Sequence, residues 1–318
     1  MKPFRFYLAG ACFVALLLLA SSSPAAAWGT NGNMIVALIA DRLLQAHNPA
    51  VQKRVAAILA ADKDNELTKT DIASEATWAD ALLEKSPEGR AATSLWHYLK
   101  LDAANPDFAK ACYGHPDLPA MTPAAHGPQK ACIVDKINQF ARDLSDPGTS
   151  AGERLLALRF LLNLTGDLHD PLNAIEHGDD GGNCVAVLPP GARAPVRLSS
   201  YWNDMLVTAA EGRDPFTAAN QIVAGVTPAE IAQWSGGTLE AWARESYDLA
   251  KSTAYNFPAD AVAGKRSIAA RKGEKDACGA ITVYRIDAPY QERAIAAVRQ
   301  QLAKAGVRLA YLLQLNVK

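Results

Sequence analysis

Residues 159–173 read RFLLNLTGDLHDPLN, and how this stretch folds decides how the rest of the chain is read. Leu161, Leu162, Leu164 and Leu168 leave no wide polar face, which predicts a helix buried on all sides. Pro171 lacks the amide hydrogen that would continue the helix, so the helix ends before it. Inside this apolar run Asn163 and Asp167 stand four residues apart, on one helical face. A carboxylate in such surroundings needs a counter-charge, a hydrogen-bond network or a metal ion. The stretch therefore predicts a helical core with a polar site built into it.

Outward from this helix, apolar residues recur at helical spacing over most of the chain. MIVALIADRLL at 34–44 is broken by Asn48-Pro49, and residues 51–61 follow as a second helix. Residues 71–83 form a third, with Asp71 placed as its N-cap. Further helices are predicted over 132–144, 151–168, 199–210, 227–233 and 239–255, and over 289–313, where Pro289 falls in the first turn. LWHYL at 95–99 is short and aromatic and reads as extended. Residues 103–129, rich in proline and glycine, read as a long loop. Residues 183–188 and 194–198 flank Pro189-Pro190-Gly191 and suit a small hairpin. The predicted class is all-α, a single mostly helical domain with at most a small β-hairpin.

The first 27 residues read as a leader rather than as fold. Lys2 and Arg5 open it, FVALLLLA follows, and Ala25-Ala26-Ala27 closes it, the pattern of a secretory signal peptide cut before Trp28. Residues 28–318 are then the working domain, exported to a periplasm or the exterior. No later run is apolar enough to span a membrane. The chain carries a formal net charge of −1, and losing Lys2 and Arg5 makes it more negative. That excludes the broad basic footprint of a duplex-binding protein, so a nucleic-acid ligand must be held at a local site. Cys112, Cys132, Cys184 and Cys278 remain after the leader, an even number that favours disulfides in an exported chain. Three pairings exist. Cys112–Cys132, which closes the loop between them, with Cys184–Cys278, is the preferred one.

Eight short elements carry a resemblance. They are Trp28-Gly29-Thr30-Asn31-Gly32-Asn33, Trp78-Ala79-Asp80, His97-Tyr98, the stretch from Asn163 to Asn173, Gly181-Gly182-Asn183, Leu198-Ser199-Ser200-Tyr201-Trp202-Asn203, Trp242-Ala243-Arg244-Glu245-Ser246 and Ala305-Gly306-Val307-Arg308-Leu309-Ala310. In this order they resemble the secreted zinc-dependent nucleases of the S-one/P-one type, relatives of bacterial zinc-dependent phospholipase C. Those chains begin Trp-Gly-x-x-Gly-His and carry His-Phe-x-Gly-Asp-x-His-Gln-Pro-Leu-His where this one has Asn163 to Asn173.

The resemblance implies an all-α fold, three zinc ions in a cleft floor, and hydrolysis of single-stranded DNA or RNA and of nucleotide 3′-phosphates. Carried over by position, one zinc would use Asp80, His97, Asn163 and Asp167. A buried one would use the Trp28 amine and carbonyl, Asn33 and Asp167, with Asp167 bridging the two. An exposed one would use Asn173, Ser199 and Asn203. Four family histidines are thus replaced by Asn33, Asn163, Asn173 and Ser199, and one aspartate by Asn203.

Zinc prefers imidazole, thiolate and carboxylate, whereas amide oxygens suit calcium or magnesium. The set Trp28, Asp80, His97 and Asp167 is therefore expected to hold one ion, and the exposed site to be lost. The expected function is a metal-dependent endonuclease or phosphodiesterase with a reduced metal site and Asp167 at its catalytic centre. The alternative is a non-catalytic exported relative that binds nucleotides, lipid headgroups or a partner protein. Arg159, His169 and His177 lie close enough in sequence to be weighed as compensating groups, with hydrogen bonding the expected role of His169. Trp78, Trp96, Trp202 and Trp242 are expected in the core.

Overall fold

A computed structural model describes residues 28–63, 66–268 and 278–318. The predicted leader lies outside the described residues. Within them the protein is mostly helical, organised on the helix Ala151–Leu168. Ser150 caps that helix by accepting a hydrogen bond from the Glu153 amide at 3.2 Å, which satisfies one of the free donors of the first turn. Every residue from Ala157 to Leu168 is buried, as the absence of a polar face requires.

The N-terminal helix Gly29–His47 and the C-terminal helix Ala288–Asn316 pack on each other, and both lean on the central helix. Helix Ile133–Ser145 runs along it and brings Phe140 flat against Phe160, ring centres 4.7 Å apart, with Trp96 edge-on at 5.4 Å. Each such buried aromatic contributes roughly 1.5–3 kcal/mol through apolar area removed from water. A Cβ on Gly306 would lie 2.4 Å from Ile39, so the N- and C-terminal helices meet in register only because that side chain is missing.

Asp71 caps a helix as expected, accepting from the Ser74 amide at 2.9 Å. The helix predicted over 71–83 is nevertheless two, Ile72–Glu75 and Trp78–Lys85. Residues 95–99, read as extended, make a 3-10 turn over Ser94–His97 before the chain extends at Tyr98. The long loop holds only the short turns Phe108–Ala111 and Ala124–His126.

Strand β1 (Leu101–Asp102) pairs in parallel with β2 (Ile175–Glu176), and the Leu99 and Lys100 amides both donate to the Asn173 carbonyl. That tie fastens the His97 segment to the end of the central stretch. The predicted hairpin is present as β3 (Val185–Leu188) and β4 (Val196–Arg197), antiparallel with Ala186 opposite Arg197. It continues into two strands that the sequence reading did not anticipate. Strand β6 (Ala280–Arg285) lies parallel to β3, and β5 (Val262–Ser267) lies antiparallel to β6, giving the order β4-β3-β6-β5. Every residue of β5 is exposed, so no alternation of apolar and polar residues betrays it. Disulfide Cys184–Cys278 joins the starts of β3 and β6, and Cys112–Cys132 closes the long loop. No described helix is long and apolar enough to cross a membrane.

Candidate metal centre

Four elements bring their polar residues to one buried point beside the central helix. Asn33 comes from the second turn of the N-terminal helix, Asp80 from the start of helix Trp78–Lys85, His97 from the end of the 3-10 turn, and Asn163 and Asp167 from the central helix. The approach is close: a Cβ on Gly166 would lie 2.2 Å from Asn33 Oδ1. Asp80, His97 and Asp167 are 7%, 3% and 0% exposed.

His97 Nδ1 lies 2.6 Å from Asp167 Oδ2. Asn33 Nδ2 donates to Asp80 Oδ2 and to Asp167 Oδ1, both at 3.2 Å. Asn163 Nδ2 donates to Asp80 Oδ2 and to the Ala76 carbonyl, both at 3.0 Å. The two asparagines thus offer N–H groups to the carboxylates where the resemblance puts histidines. Yet four buried atoms of this network have no partner: Asn33 Oδ1, Asp80 Oδ1, His97 Nε2 and Asn163 Oδ1.

Charge is under strain here. Burial pushes the Asp80 carboxyl up to about 7, repulsion from Asp167 adds to the rise, and His97 with the two amides opposes it. Burial alone would lower the His97 imidazole, but its hydrogen bond and charge pairing with Asp167, helped by Asp80, raise it above its ordinary value. One ligand atom from each of Asp80, His97 and Asp167 can be chosen so that all three lie within 4.8 Å of one another. Two carboxylates and an imidazole are donors that zinc favours. Together with the unpartnered lone pairs, the residues fit a single cation.

The other sequence-derived positions separate from this group. Trp28 is fully buried, its amide donates to Asp170 Oδ2 at 3.2 Å, and its carbonyl accepts from the Gly32 amide. Ser199 Oγ donates to Asn183 Oδ1 at 2.7 Å, and Asn173 Nδ2 points at the Asp167 carbonyl at 3.4 Å. Asn203 sits on a π-helical turn, Tyr201–Leu206. Asn173, Ser199 and Asn203 are buried but carry neither carboxylate nor imidazole, and do not fit a zinc ion.

Three residues weighed as compensating groups have structural work. Arg159 donates to both Glu75 carboxylate oxygens and to Asp62, and lies 4.8 Å over the Trp78 ring. His169 Nδ1 donates to the Thr165 carbonyl at 2.7 Å, and Nε2 accepts from Arg308 at 2.9 Å. Burial and the Arg308 charge push its imidazole down to about 3, so it is neutral. His177 is exposed and stacks on Tyr255 at 4.5 Å. Trp96, Trp202 and Trp242 are in the core, while Trp78 is only partly buried. A second cluster, Cys112, His115 and Asp135, has its sulfur tied up in a disulfide.

Asp170 was missed. It is fully buried, its carboxyl pushed up to about 7 chiefly by burial. The signal was in the motif, where a family glutamine meets an aspartate.

The S1/P1 nuclease family model matches residues 28–318. Among relatives, endonuclease 1 of Arabidopsis thaliana is 26% identical over 176 residues, 54% of this chain and 51% of that protein. Endonuclease 4 of the same plant is 25% identical over 202 residues, 61% of this chain and 60% of that protein. The matched part spans about half to three fifths of these relatives. With the family model covering nearly the whole chain, the protein belongs to the S1/P1 nuclease family.

Proposed function

We propose that residues 28–318 form an exported phosphodiesterase that cleaves single-stranded DNA or RNA, or nucleotide 3′-phosphates, with one divalent cation held by Asp80, His97 and Asp167. The observation that carries this reading is the set of four unpartnered buried atoms on Asn33, Asp80, His97 and Asn163. Buried polar groups are nearly always satisfied, and a cluster of lone pairs left open asks for a cation. Zinc suits the two carboxylates and the imidazole. The amide oxygens of Asn33 and Asn163 widen the choice toward magnesium or calcium. Two disulfides and a family match that begins at Trp28 support export and a leader ending at Ala27.

When bound, such an ion supplies positive charge that polarises a phosphoryl oxygen and acidifies water. The chain's own groups do the rest. Asn33 and His97 fix the two oxygens of Asp167 from opposite donors and hold the carboxylate in one orientation. Asn163 and Asn33 do the same for Asp80 Oδ2 and leave its Oδ1 open. His97, tied through Nδ1 to Asp167, is left with Nε2 open toward the site. Asn173 and Asn203 are neutral, so they can stabilise a departing oxygen only by hydrogen bonding, and the Ser199 hydroxyl already donates to Asn183. Turnover below that of a three-ion site follows.

Metal analysis of the cleaved protein beside an assay on single-stranded DNA and RNA tests this. About one ion per chain, with turnover that Asp167→Ala abolishes, is expected. Less than one ion per chain and no turnover above that control would leave the non-catalytic relative, binding nucleotides, lipid headgroups or a partner protein, as the correct reading.

A further inference from the structure

Asp170 is fully buried and is no part of the proposed cation site. Both of its hydrogen bonds come from backbone amides, Trp28 to Oδ2 at 3.2 Å and Leu172 to Oδ1 at 2.9 Å. Among the described residues no lysine, arginine or histidine pairs with it, and the Asp167 charge lies near enough to repel it. Two amide donors are thin support for a buried carboxylate, which calls for a full positive charge. A neutral glutamine, the residue the family motif carries here, would serve a peptide N–H equally well. The carboxylate is explained if the nitrogen facing it becomes a cation.

We propose that cleavage between Ala27 and Trp28 creates that cation, and that the Trp28 α-ammonium forms a buried ion pair with Asp170 in place of an amine-chelated metal ion. This rests on the leader reading above. A leader peptidase hydrolyses the Ala27–Trp28 bond: water is consumed, Ala27 leaves as a carboxylate, and the freed amine takes a proton from solvent. A protonated amine has no lone pair, so pairing with Asp170 and metal chelation exclude each other. The other carboxylates near this helix start are Asp167, whose charge acts on Asp170, and Asp204, whose Oδ1 would lie 2.4 Å from a Cβ on Gly29. Asp170 is thus a positioning residue. It fixes the start of the N-terminal helix, and with it Asn33 at the cation site.

A double-mutant cycle on chains released from a fusion with defined first residues tests the pair. One chain starts at Trp28 and one at Ala27, each with Asp170 or with Asp170→Asn, melted in EDTA. The extra alanine is expected to lower Tm by about 5–10 °C with Asp170 present and by far less in the Asp170→Asn chains. Asp170→Gln, the residue of the family motif, should behave like Asn and guards against a variant that fails to fold. Equal losses with and without the carboxylate overturn the pair, and so does a loss that appears only when zinc is added, since the amine would then be a ligand. Intact mass of the exported protein separates the other failure: a first residue other than Trp28 overturns the proposal through its cleavage step.

Discussion

At the scale of single residues the candidate centre sets the proposed cation against two amides. Asn33 and Asn163 direct N–H groups onto carboxylates that an ion would otherwise neutralise. Asn33→His with Asn163→His is expected to raise zinc per chain measured by elemental analysis, because imidazole nitrogens replace amide oxygens as donors. A flat stoichiometry would mean that these positions do not face the ion. His169 gives a second residue-scale test. Its imidazole is held near pKa 3 in the fold against about 6.5 unfolded. The unfolded chain then binds the extra proton between those values, so the stabilising effect of a neutral His169 is complete above pH 6.5 and lost as pH falls toward 3. Denaturation midpoints from pH 7 to 4 should fall more steeply for the native chain than for His169→Gln, whose amide can still bridge Thr165 and Arg308.

At the scale of elements, the central helix begins at a serine cap and ends in the site. Ser150→Ala should cost about 1 kcal/mol in urea denaturation with no change of slope. That helix was legible from sequence because its leucines leave no other reading and Pro171 cannot continue it. Where signals were weaker the reading slipped. Residues 71–83 look like one amphipathic helix, but Glu75 turns inward to Arg159 and the chain re-starts at Trp78. Strand β6 went unseen because its partner β3 is distant in sequence and pairing between remote strands leaves no local mark, and β5, which pairs with β6, is exposed along its whole length. That Asp80, His97 and Asp167 meet was legible through motif order, whereas Trp28, expected with them, lies against Asp170. The hydrogen-bond directions of Asn33 and Asn163, and the burial of Asp170 against Trp28, belong to tertiary packing and have no pattern in the chain.

For the molecule as a whole, two disulfides fasten what the helical core does not. Cys184–Cys278 spans 94 residues and Cys112–Cys132 spans 20. If loop entropy dominates, removing the longer bridge by Cys184→Ser with Cys278→Ser costs about 4–5 kcal/mol, against about 3 for Cys112→Ser with Cys132→Ser. Calorimetry of the two double variants should rank them in that order, and the reverse order would mean that strain or residual unfolded structure outweighs loop closure.

For the ion proposed at Asp80, His97 and Asp167, their burial would also set a clock. A chelator cannot touch an ion held by side chains this little exposed unless the helix Trp78–Lys85 or the turn ending at His97 first swings away. Loss of metal to EDTA should therefore become independent of EDTA concentration once the chelator is plentiful, and the plateau rate is the rate at which that part of the molecule opens. Hydrogen exchange at the amides of residues 78–85 should report the same opening.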